Sequence, residues 1–209
     1  MWDTKNSMNT NWIESFFETE FARHRDAVTA TEGALRAPFK EMIAACAASI
    51  RAGGKIMFFG NGGSASDAQH LATELSIRYI KDRTPIAAVA LNTDTSAITA
   101  AGNDLGFDQI FARQVEALAR EGDIAIGIST SGTSPNVVAG LKMARAKGCK
   151  TIGFTSEKGL SMGEYADVLL PVPARATARI QEMHILIGHM LCGALEQELG
   201  LASKAGDAS

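Results

Sequence analysis

Ile56-Met57-Phe58-Phe59-Gly60-Asn61-Gly62-Gly63-Ser64-Ala65-Ser66-Asp67-Ala68-Gln69-His70-Leu71-Ala72-Thr73-Glu74 is the stretch from which the fold is read. An apolar run, a glycine-rich turn and the start of a helix follow one another. Glycines let the backbone approach an anion, and the free N–H groups and positive end of a helix favour its charge. The helix then carries His70 and Glu74, four residues apart and so on one face. A phosphate anchor beside a His/Glu pair points to chemistry on a small phosphorylated molecule.

Outward from this stretch the pattern repeats. Apolar runs occur at 55–60, 86–91, 124–129, 151–155 and 168–172, several of them apolar on both faces, as buried parallel strands are. Helical segments separate them at about 66–80, 95–101, 108–120 and 136–147. The alternation predicts an α/β fold, a doubly wound five-stranded parallel sheet flanked by helices. Ahead of it, 12–50 reads as helical, with Ile13, Phe16, Phe17, Phe21, Leu35, Phe39, Met42, Ile43 and Ile50 spaced roughly three to four apart. A break between two helices is expected near Glu32-Gly33, and Arg51-Ala52-Gly53-Gly54 reads as a stop. A long last helix is expected over about 177–199, with Gly200 at its end. The tail, 202–209, is small and polar and is expected to fray. Residues 1–209 thus form a single domain: a helical extension at about 12–50 and an α/β core at about 55–200.

Composition bounds the function. With 209 residues, 46% hydrophobic and 21% charged, the chain suits one soluble globular domain. A net charge of −3, with no long basic run, gives no footing for nucleic acid. Residues 1–11 are polar and lack an apolar signal core, and no apolar stretch reaches the ~20 residues of a membrane span. Cys46, Cys149 and Cys192 are too scattered for a metal site and read as reduced thiols of a cytoplasmic protein. His24, within Arg23-His24-Arg25-Asp26, reads as solvated.

A second loop, Ser129-Thr130-Ser131-Gly132-Thr133-Ser134-Pro135-Asn136, also joins a strand to a helix. Ser134 suits the N-cap and Pro135 the first helical position. Taken alone, the loop is either a serine-rich turn or a set of hydroxyls around phosphate oxygens. Its place at a strand's carboxyl end, where open α/β sheets bind ligands, favours binding. The first loop has neither the Gly-Lys-Ser/Thr ending of a nucleoside triphosphate site nor the G-x-G-x-x-G order of a dinucleotide site, which leaves a small sugar phosphate as the simpler ligand.

The last helix carries Gln181, His184 and His189. Gln181 and His189 lie about 80° apart around an ideal helix and face one cleft, whereas His184 lies about 140° from His189. His70, Glu74, Gln181 and His189 offer N and O donors suited to zinc or another divalent ion. A metal-free acid/base pair would use the same Glu and His, and the sequence does not choose. Arg78, four residues beyond Glu74, reads as its ion partner. Asn92-Thr93-Asp94-Thr95 and Gly102-Asn103-Asp104 are either turn chemistry or donors to sugar hydroxyls.

Taken together, Gly60-Asn61-Gly62-Gly63-Ser64, His70-x-x-x-Glu74, Gly102-Asn103-Asp104, Ser129-Thr130-Ser131-Gly132 and Gln181-x₇-His189 resemble the sugar isomerase (SIS) domain, and within it the sedoheptulose 7-phosphate isomerases, also called phosphoheptose isomerases. The resemblance spans nearly the whole chain. Ala65-Ser66 and Thr133 depart from the family's loops without touching their key positions. The resemblance implies a flavodoxin-like sandwich and a cytoplasmic homotetramer with active sites at subunit interfaces. It also implies isomerisation of D-sedoheptulose 7-phosphate to D-glycero-D-manno-heptose 7-phosphate, the first step of bacterial heptose synthesis for lipopolysaccharide and other surface glycans. Glu74 and His189 would be catalytic, and His70, Glu74, Gln181 and His189 would hold zinc. Asn61, Gly62, Gly63, Ser64, Glu74, Asn103, Asp104, Ser129, Thr130, Ser131, Ser134 and Gln181 would hold the substrate. Two other readings share the pattern: a non-catalytic SIS protein that binds a sugar phosphate or the replication initiator, and an isomerase of a different sugar phosphate. Retention of both Glu74 and His189 favours catalysis.

Overall fold

The computed structural model describes residues 11–201. The expectations for the first residues and for the tail at 202–209 lie outside that range, apart from Asn11. Strand β1 (Ile56–Gly60) is followed by helix α2 (Gly63–Ser76) and β2 (Ala88–Ala90), after the N-terminal helix α1 (Asn11–Arg51). Then come α3 (Thr95–Asp104), α4 (Ile110–Leu118), β3 (Ile124–Ile128), α5 (Pro135–Ala146), β4 (Lys150–Ser156), β5 (Val168–Val172) and α6 (Thr177–Glu198). Two 3-10 segments, Phe107–Gln109 and Glu157–Glu164, were not expected from the sequence. The five strands form one sheet in the order β2-β1-β3-β4-β5, and every pairing is parallel.

Strand β1 shows why its run is apolar on both faces. Ile56 and Phe58 enter the core shared with α1, α2 and α6, while Met57 and Phe59 enter the core shared with α3, α4 and α5. Side chains alternate along a strand, so a strand covered on both sides has no polar face. Close helix–sheet packing depends on small residues: a Cβ on Gly127 would stand 2.9 Å from Val137, and one on Gly140 would stand 2.8 Å from Phe59.

Helix α1 corrects one expectation. It is continuous over 41 residues, with no break at Glu32-Gly33 and with Pro38 inside it. Ala27, Thr31, Leu35, Met42, Cys46 and Ser49 form one buried stripe that runs past Gly33, which itself faces open space. Burial of that stripe outweighs the ~1 kcal/mol that glycine costs a helix relative to alanine. At the other end of the chain, Gly200 takes φ +69°, Gly200 N–H donates to Gln197 O, and Leu201 N–H donates to Glu196 O. This pair of bonds is the Schellman ending that Gly200 predicted.

Packing of α1 along α6 also corrects the reading of His24. Its Nδ1 stands 2.7 Å from Glu182 Oε2 rather than in open water. That contact joins positions 158 apart, which no local pattern reveals. All three cysteines are free and buried, and among the described residues no helix is long and apolar enough to cross a membrane.

Candidate active site

Strands β1 and β3 are neighbours, yet their following helices lie on opposite faces of the sheet. The crevice at their carboxyl ends is therefore the topological switch point, where open α/β sheets bind ligands. Both loops singled out in the sequence meet there. Gly60 has no room for a side chain, because a Cβ would stand 2.7 Å from Ile128 O and from Ser64 Cβ. Gly62 takes φ +55°, a conformation open to glycine. The N–H groups of Ser64, Ala65 and Ser66 are engaged by Asn61 O and Gly62 O in the first turn of α2, so fewer donors are free here than a bare helix end would offer.

Asn61 ties the two loops together. Its Nδ2 donates to Asn136 Oδ1 at 2.8 Å, and Asn136 Nδ2 donates back to Asn61 Oδ1 at 2.9 Å. Asn136, buried at the start of α5, was not singled out in the sequence, where it reads as an ordinary first-turn residue.

The hydroxyls of the second loop converge. Ser129 Oγ stands 3.3 Å from Ser131 Oγ and 3.0 Å from Ser134 Oγ. Thr133 N–H and Thr133 Oγ1 both donate to Ser131 Oγ, and Gly132 N–H donates to Ser129 Oγ. Ser134 is the N-cap residue of α5 and Pro135 its first residue, as expected, but the Ser134 side chain makes no capping bond. Its hydroxyl turns into the cup instead. Gly132 takes φ +66°, and a Cβ there would stand 2.3 Å from Gly159 Cα and from Thr155 Oγ1. Thr130 is half-buried beside it.

Helices α2 and α6 bring the second group of residues together. His70 Nε2 stands 2.8 Å from His189 Nε2, and the two rings meet edge to face. Glu74 Oε1 lies 3.5 Å from His70 Nε2. Gln181 sits so close to the start of α2 that a Cβ on Gly63 would stand 2.2 Å from its Nε2. Between these groups lies Asp67, which sequence reasoning missed. Its carboxyl is hydrogen-bonded to Gln181 and lies within electrostatic reach of His70 and His189. Its Oδ2 is buried without a hydrogen-bond partner. Burial holds this carboxyl above the usual carboxylate range, against the pull of Gln181 and the two histidines. The signal was present: Asp67, His70 and Glu74 are spaced i, i+3, i+7 on one helical face.

Other positions fall elsewhere. His184 is fully buried on another face of α6, with Nε2 3.0 Å from Thr155 O, and takes no part in the cluster. Arg78 makes no ion pair with Glu74; instead Arg83 Nη2 donates to the Glu74 backbone carbonyl. Asn103 and Asp104 form the last turn of α3, where Asn103 Nδ2 donates to Asp104 Oδ1. Neither is hydrogen-bonded to the loops or to the histidines. Asn92 Nδ2 donates to Gly60 O, and Asp94 caps α3 through Ala97 N–H.

Among the described residues no group of three or more His, Cys, Asp and Glu side chains is gathered as a metal site. The donor set is nonetheless chemically apt: two imidazoles, a carboxylate and an amide, with the orphaned Asp67 oxygen beside them. Donors on a tetrahedral zinc stand ~3.4 Å apart; the His70–Glu74 separation of 3.5 Å matches this, whereas the two imidazole nitrogens, 2.8 Å apart in a hydrogen bond, would have to part to share an ion.

Comparison with known proteins agrees with this geometry. Residues 19–156 match the SIS domain. A phosphoheptose isomerase of Paramagnetospirillum magneticum is 54% identical over 87% of this chain and 95% of its own length. That of Aliarcobacter butzleri is 49% identical over 90% and 99%. The solved phosphoheptose isomerase of Neisseria gonorrhoeae superposes with a TM-score of 0.83 at 41% identity, covering 88% of this chain and 99% of that one. The serine loop gathers three hydroxyls, and the facing helices α2 and α6 gather two imidazoles and a carboxylate. On both counts, and on these identities, the chain belongs to the SIS domain family and, within it, to the phosphoheptose isomerases.

Proposed function

We propose that this crevice isomerises D-sedoheptulose 7-phosphate to D-glycero-D-manno-heptose 7-phosphate, the aldose–ketose conversion that opens heptose synthesis. One chain of contacts carries the reading: Asn61 bonds to Asn136 and so ties the glycine loop to the serine loop, Gln181 of α6 packs against Gly63 at the start of α2, and the same two helices carry His70, Glu74 and His189. The cup takes the phosphate, with Thr130 and the Gly62–Gly63 backbone beside it. Ser64, Asn103, Asp104 and Gln181 are assigned to the sugar, while Asn61 acts through its lock on Asn136. Binding energy at the phosphate holds C1 and C2 against the helices.

Ketose-to-aldose conversion removes a proton from C1 and returns one to C2 through a cis-enediol. Glu74, an intermediate-exposed carboxylate on α2, takes the C1 proton and delivers it to C2. His189, hydrogen-bonded to His70, exchanges protons with the oxygens on C1 and C2. Zinc held by His70, Glu74, Gln181 and His189 would polarise the carbonyl and stabilise negative charge on the enediol oxygens.

We also assign a cytoplasmic homotetramer with shared sites. The exposed apolar residues Trp12, Ile13, Phe16, Phe17 and Phe21 on α1 support the assembly. The three buried free thiols support a reducing compartment.

The test is product formation from sedoheptulose 7-phosphate, followed by NMR, with Glu74→Gln beside the wild type. Wild-type protein is expected to form the manno-heptose 7-phosphate, and the folded variant is expected to bind substrate without turnover. Turnover by Glu74→Gln would remove the carboxylate from the chemistry. No turnover by folded, substrate-binding wild type would favour a sensor or partner-binding role.

A further inference from the structure

The segment between α2 and β2 carries no residue assigned to the reaction, yet it folds back across α6 beside His189. Tyr79 leads it. The Tyr79 ring lies nearly parallel to the His189 imidazole, with centroids 5.7 Å apart and planes inclined by 25°. One turn further along α6, Gly193 leaves the space the ring occupies: a Cβ there would stand 3.2 Å from Tyr79 Cε1. The phenol thus sits over α6 between His189 and Gly193, one face against the imidazole.

An anchor four residues on keeps the segment in place. The Arg83 side chain is only 2% exposed and that of Glu196 only 3%. Arg83 Nε donates to Glu196 Oε1 at 2.8 Å. Its Nη1 donates to Leu75 O at 2.7 Å, and its Nη2 donates to Glu74 O at 2.7 Å. Glu196 Oε1 also accepts from Tyr79 N–H at 3.4 Å. The guanidinium therefore satisfies carbonyls at the carboxyl end of α2, where a cation is favoured, and ties them to α6. Glu74 belongs to one side of this tie, and His189, two turns before Glu196, belongs to the other.

We propose that Tyr79 is a positioning residue for His189. Its ring, anchored through Arg83 and Glu196, holds the imidazole in the orientation that faces His70 and Glu74. The argument is geometric. His189 is half-exposed on α6, and among the described residues its ring contacts are two, edge-on to His70 and face-on to Tyr79. His70 is itself exposed and restrains little. The flat restraint comes from Tyr79, and an aromatic ring of either kind supplies it.

The inference rests on the reading of His189 as catalytic, so its test separates the two. Tyr79→Phe, Tyr79→Leu and His189→Gln are compared by kcat and KM for sedoheptulose 7-phosphate, by Tm, and by the ¹³Cε1 resonances of labelled histidine. With four histidines in the chain, the spectrum is simple, and the His189→Gln variant assigns its line. Tyr79→Leu is expected to lower kcat about tenfold with KM within about twofold, because misplacing a reacting group costs rate more than binding. Its His189 line is expected to broaden or split as the ring samples several rotamers. Tyr79→Phe is expected to restore both. A Leu variant with wild-type kcat and one sharp His189 line overturns the proposal, as does a Phe variant that behaves like Leu. If His189→Gln turns over normally, the catalytic reading of His189 is what fails. The line shape in the Leu variant then decides the positioning alone: a broadened line upholds it and a sharp one overturns it.

Discussion

At position 184 an imidazole is completely buried within α6, bonded through Nε2 to Thr155 O, with Nδ1 lacking a partner. Burial pushes its pKa down to about 4, only partly countered by the bond to Thr155. The folded value lies below the unfolded one of 6.5, so between them the unfolded chain binds the extra proton. Stability from this residue is complete above pH 6.5 and is lost as pH falls toward 4, a total of about 3 kcal/mol. Urea unfolding between pH 7 and 4.5 is expected to show this loss, and His184→Met is expected to flatten the slope. An unchanged slope in the variant would assign the acid sensitivity to other groups. The angular reading of α6 set His184 about 140° from His189, and in the structure His184 bonds to Thr155 O while His189 meets His70. Asp67 was missed although its spacing with His70 and Glu74 was visible, because a helix expected from about 66 puts it in the first turn, where the helix dipole explains a carboxylate; the helix in fact starts at Gly63 and has no acidic residue in its first turn. Only its burial against Gln181 marks it out.

Among the elements, the loop after β3 is the clearest case of local sequence making a site. Gly132 bends at φ +66° against Gly159 and Thr155, and this bend sets Ser131 where three contacts from Ser129 and Thr133 meet at its hydroxyl. Ser134 leaves its cap unmade, costing α5 about 1 kcal/mol, and its hydroxyl joins the cup. A hydroxyl that grips the phosphate equally in ground and transition states acts on binding. Ser131→Ala is therefore expected to raise KM roughly tenfold while changing kcat little, as steady-state kinetics would show. A fall in kcat at constant KM would move Ser131 into the chemistry. The strand–loop–helix units were legible in the sequence because each is built from neighbouring residues with one period or one turn signal. The lock between Asn61 and Asn136 was not, since it joins two loops 75 positions apart. The continuity of α1 was hidden for a related reason: Gly33 is a weak local breaker, and only the buried stripe from Ala27 to Ser49 shows that tertiary packing overrides it.

At the scale of the whole molecule, the amino-terminal half of α1 carries apolar surface that the rest of the described chain leaves uncovered. Trp12, Phe16, Phe17 and Phe21 are each more than half exposed, and the Phe17 and Phe21 rings meet at a tilt, with centroids 4.7 Å apart and planes inclined by 46°. Further along, α1 and α6 enclose a groove of about 560 Å³ lined by Val28, Leu35, Phe39, Leu186, Ile187 and Met190. Large apolar side chains gathered on one helix face are unfavourable in water and mark an interaction surface. The proposed tetramer would cover them, and α6, which forms one wall of the groove, also carries Gln181 and His189. Assembly and catalysis should then fail together. Phe16→Glu combined with Phe17→Glu is expected to convert the tetramer to smaller species in sedimentation velocity. Each desolvated aromatic lost removes about 1.5–3 kcal/mol of burial. Turnover of sedoheptulose 7-phosphate is expected to fall with the tetramer fraction as the variant is diluted, while the α/β core keeps its far-UV circular dichroism. A dissociated variant with the full rate per chain would show that each site is complete within one subunit. A variant that stays tetrameric would place the contacts that hold the assembly away from this stripe.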